Sequence, residues 1–287
     1  MSSPLCLGCG RILDKFWVDQ GAEWHPTCQP MTLEELGKSV LEDMTDIIRW
    51  TDNNSARSQQ TMIGPSELGS ECDRKIAYRL ADMPGTNRWM DPLPAIVGTA
   101  VHKWLEKAVN KFQAIHHMDR WETEITIHPD PLVTGHCDLY DRDKAMVLDF
   151  KTVSPTKLKE WKKSGPPEHY KDQVNLYAKG LLLTGRKVKT VALMAVPRSG
   201  WLRECQIWVE DYDPDRAQKA LDRMYRIGQQ LIDMGNPIDF EQIEGKPDAG
   251  CAYCPWYRGG AGRADMSGCS GNIEASRAKF TKGITRG

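Results

Sequence analysis

Between Val133 and Lys151 the chain reads V-T-G-H-C-D-L-Y-D-R-D-K-A-M-V-L-D-F-K, and no other stretch limits its fold so narrowly. Two β-rich runs, Val133–Tyr140 and Ala145–Lys151, flank the polar tetrapeptide Asp141-Arg142-Asp143-Lys144. This is the pattern of two strands joined by a hairpin turn. Side chains alternate faces along a strand, so Asp149 and Lys151 project from one side and Phe150 from the other, and hairpin pairing brings Asp138 alongside them. Two carboxylates and an ammonium thereby meet at one strand end.

That trio has a chemical use. Hard oxygen ligands bind Mg²⁺ or Mn²⁺, and the ion lowers the pKa of a bound water and neutralises charge developing on a scissile phosphate. Lys151 is then placed either to orient the attacking water or to stabilise the pentavalent phosphorane. Taken alone, D-x-K is common by chance and reads more simply as a surface ion pair of little value. Its surroundings change that balance.

The 287 residues suit one substantial domain with a small appendage. With 38 basic and 39 acidic side chains the formal net charge is -1, so any nucleic-acid contact must come from local patches. No run of 18 apolar residues occurs, and the opening M-S-S-P-L-C lacks the basic and apolar regions of a signal peptide. A soluble intracellular protein with no membrane association is expected. The nine cysteines are clustered, which in that setting points to metal rather than disulfides.

Cys6-x2-Cys9, fifteen residues, then His25-x2-Cys28 supplies four ligands in two close pairs, the arrangement of a tetrahedral structural zinc. The segment resembles half of a LIM-type finger or a zinc ribbon, with Gly10 after the first pair and Trp24 before His25. So short a segment buries too little surface to fold alone, and metal binding would supply its folding energy. Its role as a DNA contact, a docking site for a partner protein or a structural cap stays open.

Thr32 with Glu35 forms a capping box ahead of apolar residues at helical spacing as far as about Trp50, and the polar run Thr51–Gln60 reads as a connection. The expected organisation is a zinc finger over 1–30, a connecting helix and linker over 31–60, a main domain over 61–270 and a basic tail over 271–287. Pro65-Ser66 starts a helical segment that carries Cys72, Arg74, Lys75 and Tyr78. A second helix over Leu93–Phe112 puts Val97, Val101, Trp104, Leu105 and Ala108 on its apolar face, with His102 off that face. Glu122–His128 reads as a strand.

Beyond the hairpin, Thr156–Lys163 holds Lys157, Lys159, Lys162 and Lys163 around Trp161. It reads equally as a solvated helix face or as a grip on phosphates with an aromatic that stacks on a base. Glu168–Leu183 predicts a helix in which Gln173 and Tyr177, four apart, share a face. They are either surface polar residues or aimed at the metal site. Strands over Lys187–Val196 and Leu202–Glu210 and a helix over Pro214–Met234 complete an α/β core whose central mixed sheet is flanked by helices.

Taken in order, S-x-L-x-x-x-C-x-R-K, G-T-A-V-H, G-H-C-D, V-L-D-F-K and Q-V-N-L-Y-A resemble the successive motifs of the RecB-like branch of the PD-(D/E)xK nucleases, over roughly Ile63–Cys269. The resemblance implies His102, Asp138 and Asp149 as Mg²⁺ or Mn²⁺ ligands with the Phe150 carbonyl assisting, Lys151 as the catalytic lysine, and Gln173 and Tyr177 as its supporting pair. Cys137 stands where the motif has proline, and Gly135–Asp138 supplies the G-x-x-D seen in this branch. CRISPR-associated exonucleases and the AddB nuclease domain join one cysteine before the core to three after it around a [4Fe-4S] cluster. Cys72, Cys251, Cys254 and Cys269 fall in corresponding places, although the fourteen residues between the last two make a longer gap than that pattern. Zinc also suits four thiolates.

The resulting expectation is a metal-dependent DNA exonuclease of recombination, repair or phage DNA processing. It would act on single strands or DNA ends, with Arg74, Lys75, Lys157, Lys159, Trp161 and Lys162 as DNA contacts. The alternatives are a non-catalytic DNA-binding or adaptor protein that works through its finger, and a structure-specific endonuclease.

Overall fold

The computed structural model describes residues 4–7, 11–12, 18–21, 23–24, 32–54, 62–87, 90–246, 250–259 and 262–271. The chain divides into two units, Met1–Gln59 and Gln60–Gly287. In the first, Leu5 and Ile12 form an antiparallel bridge, Cys6 N donates to Arg11 O at 2.8 Å, and Cys6 is buried. The other expected zinc ligands, Cys9, His25 and Cys28, lie outside the described residues. Helix α1 (Leu33–Asn53) starts at the capping box: Glu35 N donates to Thr32 Oγ1 at 3.2 Å and Thr32 N to Glu35 Oε2 at 2.8 Å. Its apolar stripe is left uncovered by the described residues of that unit.

The second unit is a mixed α/β fold. Its five strands, β1 (Trp121–Asp130), β2 (Val133–Asp141), β3 (Met146–Val153), β4 (Thr190–Pro197) and β5 (Gln206–Asp211), lie side by side in chain order. All neighbours are antiparallel except β3 and β4. A parallel pair needs a crossover, here α5 (Pro155–Ser164) and α6 (Glu168–Leu183). Short α2 (Pro65–Leu68), α3 (Asp73–Leu80) and α4 (Leu93–His116) precede the sheet, and α7 (Pro214–Met234) follows it. No helix among the described residues is long and apolar enough to cross a membrane.

Of the strand starts, two move most from expectation. Strand β5 starts at Gln206 because Leu202–Glu204 closes a single 3-10 turn, in which Trp201 N donates to Glu204 Oε2 at 2.8 Å. Strand β4 starts at Thr190, and the preceding Lys187 instead offers its carbonyl to Tyr140 Oη at 2.6 Å.

Apolar residues on the two sheet faces build separate cores. Leu139, Leu148, Phe150 and Ala192 pack with Leu105 and Val109 of α4. On the other face Ile127, Val147, Val153 and Val191 pack with Val174, Tyr177, Ala178 and Leu181 of α6 and with Leu158 and Trp161 of α5. A third core joins α3 and α7 to the C-terminal loops, where Tyr78 stacks on Phe240 with ring centroids 3.9 Å apart. Two glycines permit close approaches: a Cβ at Gly180 would meet Ile127 Cβ at 2.8 Å, and one at Gly135 would meet Pro65 Cδ at 2.7 Å. The second brings α2 against β2 just ahead of Asp138.

Candidate active site

Strand β2 loses its regular alternation at the position the site needs. Cys137 and Tyr140 both join the core on the α6 face, whereas Leu139 joins the α4 face. The irregularity centres on Asp138 and on Glu124, which lies across from it between the Thr123↔Leu139 and Ile125↔Cys137 pairs and has a φ of 50°. A left-handed conformation in a non-glycine strand residue costs on the order of 1–3 kcal/mol and is retained only where the surrounding structure imposes it. The β2–β3 ladder ends at Leu139↔Leu148. Beyond it the Asp138 carboxylate replaces the missing strand partner, accepting from Phe150 N at 2.7 Å.

Asp138 is held from a second side by His102 of α4, whose Nδ1 lies 3.1 Å from Asp138 Oδ1. Burial alone would depress His102, but the hydrogen bond and charge of Asp138, with the charge of Asp149, outweigh it and raise its pKa. The Phe150 ring points to the α4 side and meets the His102 ring edge-on at 6.3 Å.

Asp149 is 1 % exposed. Burial raises its pKa, the Lys151 ammonium opposes that shift and the Asp138 charge adds to it. Lys151 Nζ lies 2.9 Å from Asp149 Oδ2, yet this oxygen makes no hydrogen bond, so the contact is an ion pair off the hydrogen-bonding direction. Gln173, at 4 % exposure, connects the group: its Oε1 accepts from Lys151 Nζ at 2.7 Å and its Nε2 donates to Tyr177 Oη at 2.6 Å and to Asp149 Oδ1 at 3.3 Å. Burial, then the charges of Asp149 and Asp138, push the Tyr177 hydroxyl well above its ordinary pKa, so it stays protonated.

His102, Asp138, Phe150, Asp149, Lys151, Gln173 and Tyr177 are thus drawn into one connected group. Among the described residues no three His, Cys, Asp or Glu side chains are gathered as a ready metal site: Asp138 is turned to His102 and the Phe150 amide, and Asp149 to Lys151 and Gln173. The donor set nevertheless fits a hard divalent cation, with two carboxylates, an imidazole and one buried carboxylate oxygen that no donor satisfies.

The four expected cluster cysteines lie on neighbouring segments, but among the described residues they are not gathered as a ready metal site. Cys72 caps α3, and Cys251 opens the 3-10 turn that ends at Cys254. Cys254 feels the charges of Cys269 and Cys72, Cys269 feels that of Cys72, and a Cβ at Gly271, two residues beyond Cys269, would meet Cys251 Cβ at 3.3 Å. Donors already face the sulfurs: Lys246 N reaches Cys72 Sγ at 3.4 Å and Arg74 Nη1 reaches Cys269 Sγ at 3.9 Å. Burial pushes the Cys254 thiol up to about 11 and raises Cys269 as well. Thiols are the ligand type a soft metal centre takes, and two of the four here, Cys72 and Cys269, already face N–H donors.

Three expected DNA contacts are placed elsewhere. Trp161 is 8 % exposed, because Leu158 and Trp161 at i, i+3 form the inner face of α5; it packs in the core and offers no ring to a base. Arg74 is committed to Glu241 Oε2 at 3.1 Å, Ile243 O at 3.2 Å and Cys269, which fixes the C-terminal loops rather than a phosphate. Half-buried Lys75 lies beside Cys254. Lys157, Lys159 and Lys162 are exposed on the outer face of α5.

Two neighbours of the site are not among the residues the sequence singles out. Glu124 sits by Asp138, Glu106, His136 and His102, and burial followed by the Asp138 charge raises its pKa. Tyr170 carries the Lys151 ammonium over its ring, 4.7 Å from the centroid. The Y-x-x-Q spacing, which sets Tyr170 and Gln173 on one helix face, was the available signal for Tyr170.

No protein-family model and no curated protein matches the sequence. Among solved structures, the chain is similar to an alkaline exonuclease (LHK-Exo) from Laribacter hongkongensis, with 11% identity and a TM-score of 0.45 over 62% of this chain and 91% of that one. It is also similar to SSO0001, with 20% identity and a TM-score of 0.40 over 79% and 95%, and to a phage related exonuclease from Haemophilus somnus 129PT, with 14% identity and a TM-score of 0.31 over 46% and 70%. At TM-scores this low the likenesses carry no weight in assigning an activity.

Proposed function

We propose that this chain is a divalent-metal-dependent deoxyribonuclease that hydrolyses phosphodiester bonds from DNA ends. One observation carries the reading: a buried carboxylate oxygen of Asp149 lies without a hydrogen bond beside Lys151, in the group that also holds Asp138 and His102. A buried carboxylate oxygen with no hydrogen bond is costly, and a hard cation would satisfy it. His102, Asp138 and Asp149, with the Phe150 carbonyl, would hold Mg²⁺ or Mn²⁺. When bound, that ion lowers the pKa of water and offsets charge on the scissile phosphate.

The chain's own residues do the rest. Gln173 fixes the Lys151 ammonium, which orients the attacking water or meets the charge that develops on the phosphate. Tyr177 holds Gln173. The exposed Lys157, Lys159 and Lys162 give the DNA backbone a cationic row. Cys72, Cys251, Cys254 and Cys269 would carry a [4Fe-4S] cluster, with Zn²⁺ as the alternative occupant, and tie the C-terminal loops to α3. Cys6, Cys9, His25 and Cys28 would carry a structural Zn²⁺, and the finger so formed serves DNA or a protein partner.

Digestion of linear DNA, labelled at one or the other end, against covalently closed circular DNA tests the reading. Metal-dependent release from linear DNA alone supports an exonuclease. Cutting of the circle supports an endonuclease, and no cleavage of either supports a DNA-binding or adaptor protein.

A further inference from the structure

Resting on the nuclease reading, we infer that Tyr170 is a positioning residue for Lys151. A lysine ammonium is a compact charge on a flexible four-carbon stem with three rotatable donors, so a further wall beyond its two polar partners narrows its position. Asp149 Oδ2 lies 2.9 Å from Lys151 Nζ and Gln173 Oε1 lies 2.7 Å from it. The Tyr170 ring supplies the third wall, with Nζ 4.7 Å from its centroid, inside the range in which a ring face attracts a cation.

That wall is itself braced. Trp161, buried in α5, meets the Tyr170 ring at 6.1 Å and 83°, and the neighbouring His169 ring meets it at 4.1 Å and 61°. Tyr170, Gln173 and Tyr177 follow one another at i, i+3 and i+7 on α6, so one stripe of one helix presents a ring face, an amide oxygen and a hydroxyl to the end of β3. The ammonium is thereby confined with no charge added beside it. The buried indole of Trp161 acts on the site through Tyr170.

The experiment has two readouts on the full-length protein. Steady-state cleavage of linear DNA in saturating Mg²⁺ compares wild type, Tyr170→Phe and Tyr170→Leu. Phe keeps the ring and holds kcat within about twofold; Leu lowers kcat about tenfold, the loss of one confining contact in the transition state, with KM unchanged. A raised KM with unchanged kcat would mean that Tyr170 contacts the substrate instead, and wild-type kcat in Tyr170→Leu would also overturn the inference.

The second readout needs no activity. Methylene resonances of Lys151, identified by their loss in Lys151→Ala, shift upfield under the ring in wild type and Tyr170→Phe and return to ordinary positions in Tyr170→Leu. An unshifted Lys151 in folded wild type overturns the inference whatever the kinetics. Shifted resonances in a protein that cleaves no DNA leave the positioning contact standing and refute the nuclease reading alone.

Discussion

Gln173 accepts the Lys151 ammonium on its amide oxygen at 2.7 Å. The other end of the same amide serves Asp149 and Tyr177, so one side chain sets the relative positions of an ammonium, a carboxylate and a hydroxyl. Gln173→Ala should therefore lower kcat by on the order of tenfold to a hundredfold and, through buried groups left unpaired, reduce stability by about 1–3 kcal/mol. Steady-state kinetics with a denaturant titration checks both. Unchanged kcat would separate Gln173 from the reaction.

Trp161→Ala should behave as a core truncation, with a loss of about 3–5 kcal/mol read by denaturant unfolding. Lys159→Ala and Lys162→Ala should leave stability within about 0.5 kcal/mol but weaken DNA binding, each reducing the salt slope of the affinity by about 0.9. A Trp161→Ala protein of normal stability and weakened DNA affinity would restore a stacking role.

These contrasts show what was readable in the residue order and what was not. The alternation Asp149-Phe150-Lys151 was legible because period 2 is a local property, and Phe150 does join the opposite core from Val147 and Val153. The boundaries of α6 and α7 followed from unbroken apolar periodicity. The kink at Asp138 was not legible, since it depends on Glu124 in a neighbouring strand taking a left-handed backbone. Trp161 was ambiguous for a related reason: a lysine-rich helix has an inside as well as an outside, and only packing against Tyr170 and the sheet shows which one an aromatic takes.

Glu122 of β1 binds Arg186, from the turn after α6, at 2.6 Å, and also Arg142 at 3.1 Å. The Arg186 hydrogen bond, followed in size by opposing desolvation, holds the carboxyl below its ordinary pKa. A depressed acid stabilises the fold above its unfolded pKa, and that contribution is lost as pH falls through the folded value. Arg186→Ala should therefore lower Tm most near neutral pH, with the gap to wild type closing below about pH 4. A gap that stays constant down to low pH would assign the loss to packing alone.

Anaerobically purified protein should show the broad visible absorbance of iron–sulfur charge transfer, lost in Cys254→Ser. Colourless protein with two zinc ions per chain, one of them lost in Cys254→Ser, would assign the four thiols to zinc. In either case the fold should survive in part without metal, because Tyr78 Oη still donates to Asp265 O at 2.6 Å and Trp256 Nε1 to Met83 O at 2.7 Å, which tie the same segments together.

The most direct test of the central claim is cleavage of end-labelled linear DNA by wild type, Asp149→Ala and Lys151→Ala, with Mg²⁺ or Mn²⁺ and with chelator. Wild type should release one end label ahead of the other only when metal is present, and both variants should be folded and inactive, at least a hundredfold down by the order of general acid–base contributions. Equal cleavage by wild type and Lys151→Ala, or cleavage that survives chelation, would contradict the account.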